Sequence, residues 1–220
     1  MTGQTVVLSE LEHDALTELV NIGVSRAASS LRNMVGEQVT LSVPSVEVVS
    51  RKAAATLIQE REAGSLVAVR QDFSGAFSGR ALLIFPEANS LALVQAVTGD
   101  ELSPADAAAM ESEALTETGN VVLNGCLATM ANMLKRPLTM ALPHVIRGDG
   151  ELFFELSARE DDQGVVLFLY INFSISGRDI RGYIAMLMDL PSLQALRVLI
   201  AEFIERVMGA EDLGQLGQQG

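Results

Sequence analysis

Cysteine, histidine and basic side chains are scarce in this 220-residue chain, and it has no long apolar run. A single thiol, Cys126, cannot close an internal disulfide, which fits a reducing compartment. The longest apolar stretches, Val165 to Ile171 and Tyr183 to Met188, fall well short of the roughly 20 residues that span a bilayer. The opening residues, MTGQTVVLSELEHD, contain no basic n-region, so no secretion signal is expected and the expected location is the cytoplasm. His13, His144 and Cys126 form no cluster of zinc-like spacing, so metal binding by this chain is not expected. Gly75 and Gly79 precede no Gly-Lys-Ser/Thr, which leaves no phosphate-binding loop. With 15 Lys and Arg against 28 Asp and Glu, the net charge of -13 repels a phosphate backbone and argues against nucleic acid. The deficit is local as well as global. Between Arg80 and Lys135 there is no basic residue, while Glu87, Asp100, Glu101, Asp106, Glu111, Glu113 and Glu117 all fall there, a surface suited to a partner with an exposed cation.

What is present is ample apolar residue. A hydrophobic content of 49% with 20% charge belongs to a folded chain, and its length to one domain or two small units sharing a core. The chain also repeats itself. A shift of 99 residues lays Asp14-Ala15-Leu16-Thr17-Glu18 and Asn21 over Glu113-Ala114-Leu115-Thr116-Glu117 and Asn120, and Pro44 over Pro143. Ten of the 33 positions from 14 to 46 are identical in this gapless match. Residues 78–94 resemble 180–198 more loosely. The expected organisation is one domain over residues 1–209, built of two repeats (about 9–100 and 101–209), with 210–220 as a flexible tail.

Each half reads as a long helix, extended segments and a closing helix. The first helix is expected from Ser9 to about Leu31, with Ser9 as N-cap, and its counterpart from Ser103 or Ala105 to Leu134. Strands are expected at Val39 to Val49, Ser65 to Asp72 and Ser78 to Phe85, then at Leu138 to Ile146, Leu152 to Leu156, Gly164 to Phe173 and Ile180 to Met188. The closing helices begin at Pro86-Glu87 and at Asp189-Leu190-Pro191, and end at Gly99 and Gly209. Short links between strands indicate antiparallel pairing, hence an α/β (α+β) fold with pseudo-two-fold related halves.

On a helical wheel Asp14, Glu18, Asn21 and Ser25 share one face, with Leu16, Leu19, Val20, Gly23 and Ala27 opposite. The second helix repeats this with Glu113, Glu117, Asn120 and Asn124 against Leu115, Thr118, Gly119, Val122 and Cys126. Solubility constrains polarity but not identity, so it does not explain why the same Glu and Asn recur at the same interval to a proline. Asn is also a poor filler of an exposed helix, because its amide competes with the backbone. Pro44 and Pro143, lacking an N–H, mark a strand edge or bulge and are motif members without a chemical role. Cys126, on the apolar side, reads as a buried structural thiol.

The doubled pattern D/E-x3-E-x2-N-x22-P resembles the signature of the CheC, CheX and FliY chemotaxis phosphatases, and ELVNIGVSRAASSL and GRALLIFPE strengthen the likeness. Two copies in a chain of this size resemble CheC in particular. The second copy departs by opening with Glu113 after Ser112. The resemblance implies a CheC-like fold and a phosphatase acting on a CheY-type response regulator. In that picture Asn21 and Asn120 orient water for in-line attack on an aspartyl phosphate, Glu18 and Glu117 pair with the regulator's lysine, and Asp14 and Glu113 contribute to partner binding. It implies no cofactor of the chain's own, the Mg²⁺ being supplied by the regulator. The alternative is a non-catalytic module that docks a phosphorylated regulator or a CheD-type deamidase. Paired-carboxylate chemistry fits poorly, since Asp14 and Glu18, like Glu113 and Glu117, are neighbours on one open face.

Overall fold

Helix, strand, helix, two strands, helix is the order in the first half of the chain, and the second half repeats it with its first strand broken in two. The computed structural model describes residues 8–36, 38–98, 104–156, 164–175 and 178–216. The first half comprises α1 (Glu10–Val35), β1 (Val39–Ser50), α2 (Arg51–Arg61), β2 (Leu66–Gly75), β3 (Gly79–Pro86) and α3 (Glu87–Thr98). The second comprises α4 (Pro104–Met133), β4 (Leu138–Met140), β5 (His144–Gly148), α5 (Gly150–Phe153), β6 (Val165–Ile175), β7 (Arg178–Met188) and α6 (Leu190–Leu216).

All seven strands pair antiparallel in one sheet of order β1-β6-β7-β3-β2-β4, with β5 also on β2. Exchanging each strand for its repeat partner reverses this order, so the pseudo-two-fold axis passes between β3 and β7. The first strand of each half crosses over to the other: β1 pairs with β6, and the β4–β5 strand pairs with β2. Neither half therefore completes its sheet alone.

Strand alternation divides the core. Leu167, Leu169, Ile171 and Phe173 of β6 join the larger cluster under α1, α4 and α6, while Val166, Phe168 and Tyr170 join a smaller one under α2 and α5. Burial on both faces explains why β6 and β7 read as near-continuous apolar runs.

Local chemistry sets the helix ends. Ser9 accepts from the Glu12 N–H at 3.2 Å while the Glu12 carboxylate accepts from the Ser9 N–H at 2.7 Å, closing a capping box at the start of α1. The helix runs one turn past the expected Leu31 and stops at Gly36, whose φ of 73° and N–H bond to the Arg32 carbonyl end it. The expected cap at Ser103 and stop at Gly99 lie outside the described residues.

Four expectations need correction. Residues 152–156 are not a strand: Asp149 caps the Leu152 N–H at 3.0 Å, starting α5, and Phe153 and Phe154 turn into the smaller core. The expected strand from Leu138 to Ile146 breaks into β4 and β5 around Ala141–Pro143. Helix α2 had no counterpart in the sequence reading; Ser50 caps it, and its buried face is mostly alanine, Ala54 and Ala55 with Ile58. Finally α6 passes through Gly209 to Leu216, into the segment expected to be a flexible tail. A glycine inside a helix costs about 1 kcal/mol relative to alanine, too little to stop one without a left-handed cap.

Candidate functional site

Burial sorts the motif helices as their periodicity requires. On α1, Leu16, Leu19, Val20, Val24 and Ala27 are buried, while Asp14 and Glu18 are exposed and Asn21 is half-buried. On α4, Leu115, Thr118, Gly119, Val122 and Cys126 are buried, Glu113 and Glu117 are exposed, and Asn120 and Asn124 are half-buried. Each Asn thus sits at the foot of a carboxylate-bearing ridge. Burial pushes the Cys126 thiol up to about 12, so it stays protonated and inert at neutral pH.

The two helices are held rigidly. They cross where a Cβ on Gly23 would lie 2.9 Å from the Cys126 Cα, so the hydrogen at position 23 sets their separation. On α4 a side chain at Gly119 would overlap Val69 of β2, which explains why Val20 is replaced by glycine in the second copy. Two residues before each motif a glutamate anchors the helix. Glu12 takes the Arg197 guanidinium of α6 at 3.1 and 3.2 Å, and Glu111 takes Arg147 of β5 at 2.8 Å and the Ser90 hydroxyl of α3 at 2.5 Å. Arg147 also lies 3.6 Å from Glu87. The acidic stretch is therefore partly neutralised from outside, and its outward negative charge at the motif rests on Glu113 and Glu117. His13 donates from Nε2 to the Val46 carbonyl at 2.9 Å, tying α1 to β1.

Both prolines lie where edge strands slip register. In β1 the pairing shifts between Ser42 and Ser45, with Pro44 inside the bulge and Ile171 of β6 opposite. At the other edge, Ala141–Pro143 interrupt pairing with β2, and Gln71 and Asp72 lie opposite. This bulge reaches the second site through side-chain amides. The Gln71 Nε2 donates to the Ala141 carbonyl at 2.9 Å and to the Asn124 Oδ1 at 3.0 Å, and the Asn124 Nδ2 donates to the Asn120 Oδ1 at 2.6 Å. In the first half Ser25, exposed, stands where Asn124 does, and buried Ile171 replaces Gln71. No described residue hydrogen-bonds the Asn21 amide.

Sequence reasoning named Asn124 only as part of the polar stripe and missed Gln71. The available signal was the β2 alternation Val67, Val69, Gln71, Phe73, in which one inward position is polar. No helix among the described residues is long and apolar enough to cross a membrane.

Comparison with known proteins divides the chain along the same lines. The model of the chemotaxis phosphatase CheX family matches residues 67–169, enclosing the second motif copy, and that of the CheC-like family matches residues 11–48, enclosing the first. The flagellar motor switch phosphatase FliY of Bacillus subtilis (strain 168) is 25% identical over 140 residues, which are 63% of this chain and 36% of that protein. The chain thus spans about a third of the length of this curated relative. Among solved structures, FliY of Thermotoga maritima superposes with a TM-score of 0.69 at 14% identity, covering 90% of this chain and all of that one. The FliM middle domain of H. pylori superposes with a TM-score of 0.56 at 9% identity, covering 87% of this chain and 99% of that one. At those identities the likeness is one of fold.

Proposed function

Because the CheX and CheC-like family models each match a segment that encloses one motif copy, we propose that the chain is a member of the CheC, CheX and FliY family of chemotaxis phosphatases and hydrolyses the aspartyl phosphate of a CheY-type response regulator. Asn21 and Asn120 orient the attacking water. The observation that carries this reading is the outward presentation of the same Glu and Asn on two helices whose opposite faces are locked in the core.

An acyl phosphate is already reactive, so its hydrolysis requires an in-line water more than a strong base, as in phosphoryl transfers where a side-chain amide places the water. An Asn amide donates and accepts without adding negative charge beside the phosphoryl group, whereas an Asp there would repel it. Glu18 and Glu117, three residues before each Asn and on the same face, pair with the regulator's lysine, and Asp14 and Glu113 extend that recognition surface. The Mg²⁺ arrives with the regulator, and this chain contributes no cofactor. The setting in this reading is the cytoplasm.

The test is the decay of phosphate from labelled CheY-type regulators of the same organism, alone, with the protein, and with the double variant Asn21→Ala/Asn120→Ala. Acceleration by the unmodified protein that the double variant lacks is the expected result. If none of the regulators loses phosphate faster, the phosphatase reading fails. The chain is then a module that docks a phosphorylated regulator or a CheD-type deamidase.

A further inference from the structure

We propose that Gln71 and Asn124 are positioning residues for Asn120, and that through them the backbone of the Ala141 bulge sets which end of the Asn120 amide meets the partner. The inference rests on the reading that Asn120 engages the phosphorylated regulator.

Hydrogen-bond polarity fixes the direction of the chain. The Ala141 carbonyl can only accept, so Gln71 must turn its NH₂ toward it, at 2.9 Å. The second N–H of that group reaches Asn124 at 3.0 Å, so Asn124 must offer its oxygen there. Its own NH₂ then faces Asn120 at 2.6 Å, and Asn120 must answer with Oδ1. Among the described residues the Asn120 NH₂ is left as the free end, carrying two N–H donors. An Asn amide that could otherwise flip is thus held with its donor end available for a phosphoryl oxygen or the attacking water, before any partner arrives. No reorganisation remains to be made on binding.

The chain is kept although it leaves the Gln71 Oε1 buried without a partner among the described residues. Such an orphan acceptor carries an uncompensated desolvation cost, and an apolar residue at 71, continuing Val67, Val69 and Phe73, avoids it. The corresponding place in the first half is apolar, Ile171. A local rule broken at one of two equivalent places marks a functional constraint at that place. The second site is therefore preorganised and the first is not.

Two measurements on the full chain test this separately from the phosphatase reading. With ¹⁵N-labelled asparagine, side-chain relaxation is expected to give the Asn120 NH₂ an order parameter near the rigid value of about 0.85 and the Asn21 NH₂ one below about 0.6. Gln71→Leu should bring Asn120 down to the level of Asn21. Equal mobility of the two amides in the unmodified protein overturns the proposal whatever the kinetics. In dephosphorylation assays the second site is read in an Asn21→Ala background and the first in an Asn120→Ala background. Gln71→Leu is expected to lower second-site kcat about tenfold relative to first-site kcat, with KM for the phosphorylated regulator held. Equal losses at both sites mark a folding role and overturn positioning, as does an unchanged second-site kcat. Gln71→Glu adds a pH signature, because a buried carboxyl donates only while protonated. Its second-site kcat should fall as pH rises, beyond any change at the first site. Absence of acceleration by the unmodified protein defeats the phosphatase reading, and the relaxation result still decides the role of Gln71.

Discussion

Helices α1 and α4 carry the same Glu and Asn at the same spacing, yet what lies beneath them differs. Under Asn120 two amides, Gln71 and Asn124, lead from a strand bulge to the exposed face, whereas under Asn21 the matching places hold Ser25 and Ile171. The exposed motif has been kept in both halves while its support has diverged. Such a pattern is expected when identity is constrained by what the surface touches and the interior by packing alone. The two halves also match different family models, CheX over residues 67–169 and CheC-like over residues 11–48. The likeness to the FliM middle domain shows that this architecture extends beyond the proteins named as phosphatases, so the reading of function has to rest on the motif faces and not on the fold.

The comparison is broken most directly by removing one Asn at a time. Asn120→Ala is expected to remove most of the acceleration, about tenfold or more, and Asn21→Ala much less, since a preorganised amide outperforms one that must be ordered at each encounter. Equal losses from the two variants contradict the inequality of the sites. A smaller step sharpens it. Asn124→Ser, which gives the second helix the residue of the first, should lower second-site turnover severalfold toward the first-site value, read in the Asn21→Ala background.

How much of this was legible in sequence follows from how far apart the interacting residues lie. The motif helices were readable because their burial repeats at helical spacing within one segment, and the antiparallel pairing because the strand links are short. Helix α2 escaped because alanines supply most of its buried face and give little periodic contrast. The segment Leu152 to Leu156 looked extended because Leu152, Phe153 and Phe154 are consecutive apolar residues, and only the Asp149 cap turns them into α5. The charge pattern misled for a similar reason: Arg147, outside the acidic stretch, reaches back to Glu87 and Glu111. The positioning amides were hidden because Gln71 and Asn124 stand 53 positions apart and meet only when β2 packs under α4. Gly119 records that same approach, but in sequence it is simply a replaced valine.

Stability variants ask whether the two faces move as one body. Gly23→Ala places a Cβ against the Cys126 backbone, which cannot yield as a flexible side chain does. A loss of roughly 2 kcal/mol, seen as a fall of several degrees in Tm, is the expected cost of forcing the crossing apart. If the helices form one unit, activity at both sites drops together. A loss confined to the first site shows instead that α1 shifts alone.

The smallest expected effect concerns the anchors ahead of each motif. Burial alone would raise the Glu12 carboxyl, but the Ser9 N–H and the Arg197 guanidinium outweigh it and hold Glu12 below the ordinary carboxylate range. A depressed carboxylate contributes stability that is fully present above its unfolded value and lost as pH falls through the folded one. Glu12→Gln should therefore cost about 1 kcal/mol near neutrality, the pair being partly exposed and screened, and the gap from the unmodified protein should close below about pH 4. Urea unfolding at neutral pH and near pH 3 measures it. Glu111→Gln is the matched variant in the other half, where Arg147 keeps Glu87 as a second partner and Ser90 can still bond an amide. A smaller neutral-pH loss there than in Glu12→Gln is expected, because the first helix depends on one guanidinium and the second on a shared one. A gap in Glu12→Gln that persists unchanged at pH 3 shows that capping geometry, and not charge, anchors the first helix.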